Sequence, residues 1–215
     1  MIYDGAHAMS VNYKGKSIFE YGDVSTTSFH ATKLLNSGEG GACFAPKETD
    51  LERLKRMRFF GHNAQKDIVD SGINGKMTEI HAALGLANLK YLKIVLKRRK
   101  VIFEQYASGL KSINGIRFQK FDPAAYNYSY LPIIFESETM LLKVQAALNA
   151  QDIYPRRYFY PSMNTVKSLA PYTAMPISEK IAESILCLPS FTDLKDEKIT
   201  KIIEIIADTM QRTLS

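Results

Sequence analysis

The sequence predicts an α/β first part followed by a small α+β second part, and three observations lead there. Over residues 1–60, short apolar runs alternate with polar turns and one basic helical stretch, the alternation typical of α/β architecture. A single long helix, from about Thr78 to Leu110, then separates this part from the rest. Beyond Asn114-Gly115, strands and helices follow in runs without strict alternation, which suggests α+β. We place the boundary inside or just after the long helix, giving segments 1–112 and 113–215.

The elements follow in order. Ile2 and Tyr3 read as the end of a strand whose neighbours are expected to precede residue 1. Residues 23–29, Asp-Val-Ser-Thr-Thr-Ser-Phe, are rich in β-branched and aromatic side chains and read as a strand. Residues 40–45 form a second strand, entered through two glycines. After the Pro46 breaker, Leu51 to Phe59 is a short basic helix. Residues 60–76 are polar, contain Gly61, Gly72 and Gly75, and form a long loop of the kind that often carries function. In the long helix, Ile80, Ala83, Leu84, Ala87, Tyr91 and Ile94 recur at three-to-four spacing and mark one buried stripe. Tyr128 to Phe135 is a strand, and its Pro132 points to an edge position or a bulge. Thr139 to Leu148 is an amphipathic helix, Ile153 to Tyr160 is extended and aromatic, and Leu186 to Pro189 is a short strand. Asp196 to Met210 closes the chain as a helix with an isoleucine-rich side.

Composition excludes several classes. With 215 residues, 46% hydrophobic and 23% charged, the chain is neither disordered nor collagen-like. No apolar window approaches membrane-spanning length, so no membrane association is expected. The first residues lack both the basic start and the apolar stretch of a signal peptide. Cys43 and Cys187 lie 144 positions apart and read as reduced thiols of a cytoplasmic protein. The net charge of +6 permits an acidic partner without requiring one. His7, His30, His62 and His81 show no ligand spacing, so no metal is expected, and neither GxGxxG nor a P-loop is present.

Four clusters could carry chemistry. In Asp4-Gly-Ala-His7, at a strand end, the aspartate could hold a cationic ring nitrogen; the alternative is a turn or capping aspartate. In Ser28-Phe-His-Ala-Thr-Lys33, a lysine just past a strand could lose solvation and act as a Schiff-base nucleophile, though surface lysines are far commoner. Glu39-Gly-Gly41 permits close backbone approach or is simply a turn into a strand. Residues 90–100 hold six basic residues in eleven, which could meet nucleic acid. Leu92, Ile94, Val95 and Leu96 interrupt that run at helical spacing, and Tyr91 is its single aromatic for stacking. A half-buried helix with a solvated basic side is therefore preferred, and no nucleic-acid partner is expected.

In their order, the first three clusters resemble the DegT/DnrJ/StrS sugar aminotransferases, which are pyridoxal 5'-phosphate (PLP) enzymes of the aspartate aminotransferase fold. The resemblance is carried by Asp4-Gly-Ala-His-Ala8, Gly22-Asp-Val-Ser-Thr-Thr-Ser-Phe-His-Ala-Thr-Lys33, Glu39-Gly-Gly-Ala42, Gly72-Ile-Asn-Gly-Lys-Met77 and Glu79-Ile-His-Ala-Ala-Leu-Gly-Leu86, with 29 positions between Asp4 and Lys33. It implies part of a PLP-transferase large domain, a mixed sheet with helices, ahead of the small α+β domain. Lys33 would form the Schiff base with the cofactor and move the proton. Asp4 would face the pyridine nitrogen and keep the ring an electron sink. His7 would meet the ring hydroxyl, and Ser28 the phosphate. Asn74 would reach the phosphate from the second subunit of a homodimer with a shared active site. Arg157 and Tyr160, in Tyr154-Pro-Arg-Arg-Tyr-Phe-Tyr-Pro161, would lie on the sugar side. Some members are dehydratases with histidine at the lysine position, so Lys33 argues for the aminotransferase branch.

The implied reaction moves an amino group, from glutamate in the family, onto a nucleotide-linked keto-deoxy sugar such as dTDP-4-keto-6-deoxyglucose. Such steps make deoxyamino sugars for O-antigen and related polysaccharides. A 3-keto sugar is the near alternative, and a non-catalytic remnant or interaction fragment is another. Family members carry a further stretch before the Asp4 motif, which holds the rest of the large-domain sheet and most of the phosphate cradle. The resemblance therefore implies a truncated or split enzyme, with a separate N-terminal half as a candidate partner.

Overall fold

The computed structural model describes residues 1–214. The chain divides into two compact units: Met1–Leu96 with Asp122–Ser129, and Lys97–Phe121 with Tyr130–Ser215. The division falls inside the long helix.

The first unit holds β1 (Ile2–Asp4), β2 (Asn12–Tyr13), β3 (Lys16–Ser17), β4 (Val24–Ser28), β5 (Gly41–Phe44), α1 (Glu48–Arg58) and the start of α2 (Glu79–Leu110). Its main sheet has the order β1-β4-β5. β1 runs parallel to β4, with Asp4 opposite Thr26, and β4 runs antiparallel to β5. A parallel pair needs a long connection, and residues 5–23 supply it, with β2 and β3 as a small hairpin inside. The opening strand has a later strand, β4, as its neighbour on one edge. On β4 the alternation is clean: Ser25 and Thr27 are buried, while Thr26 and Ser28 face the other way.

Residues 60–76 form a folded-back loop closed by bridges between Phe59 and Asn74 and between His62 and Ile68. Asp70 pins it to α1, with a carboxylate oxygen 3.2 Å from Arg56 Nη2 and the other 3.4 Å from Arg53 Nε. Gly61 must be glycine there: its φ is +76°, and a Cβ would lie 1.8 Å from the Asp70 carbonyl oxygen.

α2 departs from expectation. Ile80, Leu84, Tyr91 and Ile94, read as a buried stripe, are exposed. Burial on α2 begins later, at Ile102, Phe103, Tyr106 and Leu110. Periodicity shows that a helix has an apolar side; it does not say what covers that side. In the basic run, Lys90, Lys93, Lys97 and Lys100 are exposed. Arg98 is engaged, donating to the Asp196 carboxylate at 2.8 Å.

The second unit adds β6 (Ile116–Phe118), β7 (Pro132–Phe135), α3 (Glu138–Asn149), α4 (Pro176–Ser184), β8 (Ile185–Cys187) and α5 (Asp196–Leu214). The antiparallel sheet has the order β6-β7-β8. α3 and α5 pack together, and Leu141, Val144, Leu148, Ile199, Ile202 and Ile206 are almost fully buried. Pro132 does not mark an edge strand: β7 is central. The proline is tolerated because it is the first residue of β7 and lies beyond the Phe118–Ile133 pair that ends the β6 ladder. The extended segment 153–160 is irregular and joins the sheet through one bridge, Arg156 to Cys187. β6, α4 and the β2–β3 hairpin are too short or too weakly periodic to be read from the sequence. Among the described residues, no helix is long and apolar enough to cross a membrane.

Candidate active site

The parallel pairing of β1 and β4 brings their carboxyl ends to one side of the sheet, where open α/β sheets place their ligand crevices. Asp4 ends β1. Its Oδ1 accepts the Ala6 N–H at 2.9 Å, an Asx-type turn that starts the descent into His7. The Gly5 N–H donates to the Thr26 carbonyl at 2.8 Å. A Cβ on Gly5 would stand 2.8 Å from that carbonyl oxygen and 2.7 Å from the Phe19 ring, so the close approach of the turn to β4 requires glycine.

Ser28 ends β4, and its Oγ accepts the His30 N–H at 3.2 Å. The hydroxyl hydrogen is left able to donate to an anion. A tight turn follows: Lys33 N–H donates to the His30 carbonyl at 2.9 Å, and Ser37 N–H to the Phe29 carbonyl at 2.8 Å. The Thr32 N–H donates to His30 Nδ1, which makes that nitrogen an acceptor.

These turns bring two expected site residues into contact. Lys33 Nζ lies 2.6 Å from His7 Nε2, and the pair is partly buried. His7 has a lowered pKa, first through burial and then through the neighbouring Lys33 charge, with Asp4 acting in the opposite direction. A neutral imidazole accepting from the lysine ammonium fits this direction. The result is an amine, an imidazole, a carboxylate and a hydroxyl gathered at the ends of two adjacent strands.

Asn74 stands in the 60–76 loop, exposed, bridged to Phe59, with its side-chain oxygen accepting from Lys76. These contacts run to its own loop and to the end of α1. Arg157 and Tyr160 meet in the second unit, with the guanidinium 3.5 Å from the ring centroid. Arg157 Nη2 also donates to Glu138 at 2.8 Å and to the Glu183 carbonyl at 3.0 Å. Arg156, beside it in sequence, is exposed and lies 4.7 Å from the Tyr158 ring.

One residue of the site escaped the sequence reading. Asn127 is 3% exposed, and its Nδ2 donates to the carbonyls of His7 and Met9, both at 2.8 Å. The available signal was a polar residue in the aromatic run Tyr126-Asn-Tyr-Ser-Tyr130, but nothing local says where it docks.

Residues 1–207 match the model of the DegT/DnrJ/EryC1/StrS aminotransferase family. The chain is 34% identical over 221 residues to a dTDP-4-amino-4,6-dideoxy-D-glucose transaminase from Escherichia coli, covering 98% of this chain and 59% of the relative. It is 29% identical to a GDP-perosamine synthase from Vibrio cholerae, covering 96% and 58%. Among solved structures, DesI in the presence of its TDP-sugar product superposes with a TM-score of 0.90 at 27% identity, covering 99% of this chain and 56% of that one. The PMP form of Spr1654 from Streptococcus pneumoniae superposes with a TM-score of 0.89 at 26% identity, covering 99% and 57%. The chain thus spans less than two thirds of the length of these relatives.

Proposed function

The chain belongs to the DegT/DnrJ/EryC1/StrS aminotransferase family, and on that premise we propose that it serves PLP-dependent transfer of an amino group to a nucleotide-linked keto-deoxy sugar. A 4-keto-6-deoxy sugar on dTDP is the favoured acceptor. It is supported by the likeness to a dTDP-4-amino-4,6-dideoxy-D-glucose transaminase and to DesI with its TDP-sugar. Glutamate is the proposed donor.

The single observation that carries this reading is the Lys33–His7 contact at 2.6 Å, on the same side of the sheet as Asp4 and Ser28. The donor set fits the cofactor group by group. Lys33 offers an amine to an aldehyde, and Asp4 a carboxylate to a protonated ring nitrogen. His7 offers an imidazole to the ring hydroxyl, and Ser28 a hydroxyl to phosphate. When bound, PLP supplies an aldehyde that accepts an amino group and a ring that stabilises the negative charge formed beside it.

The chain's own residues would then do the following. Neutral His7 accepts from Lys33 Nζ and holds it at one position. Lys33 Nζ would serve as the base that removes the proton from the carbon bearing the amino group and, as the ammonium, as the acid that gives it back. Asp4 keeps its partner nitrogen protonated through its charge. Asn74 of a second copy reaches the phosphate, so a homodimer would complete the site. Arg157 and Tyr160 would form the sugar side, with Arg157 held by Glu138.

The test is reductive trapping. Incubation with PLP, borohydride reduction and peptide mapping should place the pyridoxyl group on Lys33. Label on another lysine, unchanged by Lys33→Ala, would overturn the assignment.

A further inference from the structure

We propose that Asn127 is a positioning residue: it fixes the turn that presses His7 against Lys33. The inference rests on the reading of that pair as the cofactor site.

The bonds around Asn127 are complete and have one orientation. Its Nδ2 gives one hydrogen to the His7 carbonyl and the other to the Met9 carbonyl, each at 2.8 Å. Its Oδ1 accepts the Ser129 N–H at 3.2 Å and the Ser129 hydroxyl at 2.7 Å. Two donors and one acceptor, all used, leave the amide no second orientation. At 3% exposure, no water can take the place of either donor without opening the segment.

The clamp adds two long-range bonds to a turn that is otherwise held by short-range ones and by the Gly5 bond to β4. Between Asp4 and Val11 the internal backbone bonds are Ala8 N–H to Gly5 and Val11 N–H to Ala8. The His7 and Met9 carbonyls follow the His7 Cα in the chain, the first directly attached to it, and Asn127 reaches them from 120 and 118 positions away in sequence. Fixing those two carbonyls fixes the Cα–Cβ direction of His7, and with it the 2.6 Å contact to Lys33. Asparagine alone suits the place: aspartate would set a carboxylate against two carbonyl oxygens, and alanine would leave both without a partner.

The readout that a merely structural role would not move is the His7 titration, followed by NMR in the cofactor-free chain and assigned with His7→Gln. Asn127→Ala should return the His7 midpoint toward the ordinary histidine value, because the ring leaves its partly buried place beside Lys33. At sub-saturating PLP, borohydride trapping at Lys33 should fall about tenfold, the size expected for two lost hydrogen bonds. Ser129→Ala, which removes one of the two bonds that orient the amide, should shift both readouts less and in the same direction. It also keeps the test decisive if Asn127→Ala does not fold. Ser25→Ala is the control: it deletes a buried bond to the Tyr21 carbonyl in the same unit and should leave the His7 midpoint in place. An unmoved midpoint in both Asn127→Ala and Ser129→Ala, or an equal shift in Ser25→Ala, would overturn the proposal. Trapping in the unsubstituted chain at a lysine other than Lys33 would instead overturn the cofactor reading, while the titration would still decide the role of Asn127.

Discussion

Arg157 is the expected sugar-side residue whose partners allow a quantitative forecast. Its Nη2 donates to Glu138 at 2.8 Å and to the Glu183 carbonyl at 3.0 Å, and its guanidinium covers Tyr160 at 3.5 Å. The Arg157 side chain is 15% exposed and that of Glu138 is 35% exposed, so solvent screens the pair only in part. The ion-paired hydrogen bond to Glu138 contributes about 1.5–3 kcal/mol, and the bond to the uncharged Glu183 carbonyl, at its exposed position, about 1. The stacked cation adds about 0.5–1 kcal/mol where solvent still reaches it. Taking the lower values, Arg157→Ala should cost about 3 kcal/mol. Arg157→Lys keeps the charge but loses the planar face and the fork of donors, and should cost about half as much. Arg156→Ala, at an exposed guanidinium 4.7 Å from Tyr158, should cost less than about 1 kcal/mol. Urea unfolding followed by near-UV circular dichroism suits the measurement, because the chain has no tryptophan and the aromatic signal comes chiefly from tyrosine. Equal costs for Arg157→Ala and Arg156→Ala would refute the argument. So would a Glu138–Arg157 double-mutant cycle with coupling below about 0.5 kcal/mol.

Two further expectations concern the first unit. Because the His7 pKa is lowered in the folded chain, the unfolded chain binds that proton at higher pH. Stability should therefore be full above the ordinary histidine range and fall with pH from about 6.5 down to the lowered midpoint. His7→Gln should flatten that slope in urea unfolding at a series of pH values, and an unchanged slope would count against the buried pair. Gly61→Ala forces a Cβ to within 1.8 Å of the Asp70 carbonyl oxygen at a φ of +76°. It should cost at least about 2–3 kcal/mol through strain and displacement of the loop. Limited proteolysis should then cut within residues 60–76 much faster than in the unsubstituted chain, and equal cutting would show that the loop yields at little cost.

The sequence by itself determined most element types and named the candidate residues of the site. A β-branched run marked β4, a short apolar run entered through two glycines marked β5, and helical periodicity marked α2, α3 and α5, because these signals are local. Asp4, His7, Ser28 and Lys33 were legible as an ordered set through the family resemblance, and each sits at a strand end or in the turn after it. The tertiary structure decided what lies beside what. It gave Pro132 a place in a central strand, since only the register shows that β6 has already ended there. It left Ile80, Leu84, Tyr91 and Ile94 exposed on α2, since periodicity describes one helix and burial needs a second surface. It committed Arg157 to Glu138 and Tyr160, partners that are 19 and 3 positions away. It also brought Asn127 to the His7 turn across 120 positions of sequence. No pattern in the run around Asn127 encodes that meeting, because a hydrogen bond between distant segments depends on chain geometry and not on the residues that flank either partner.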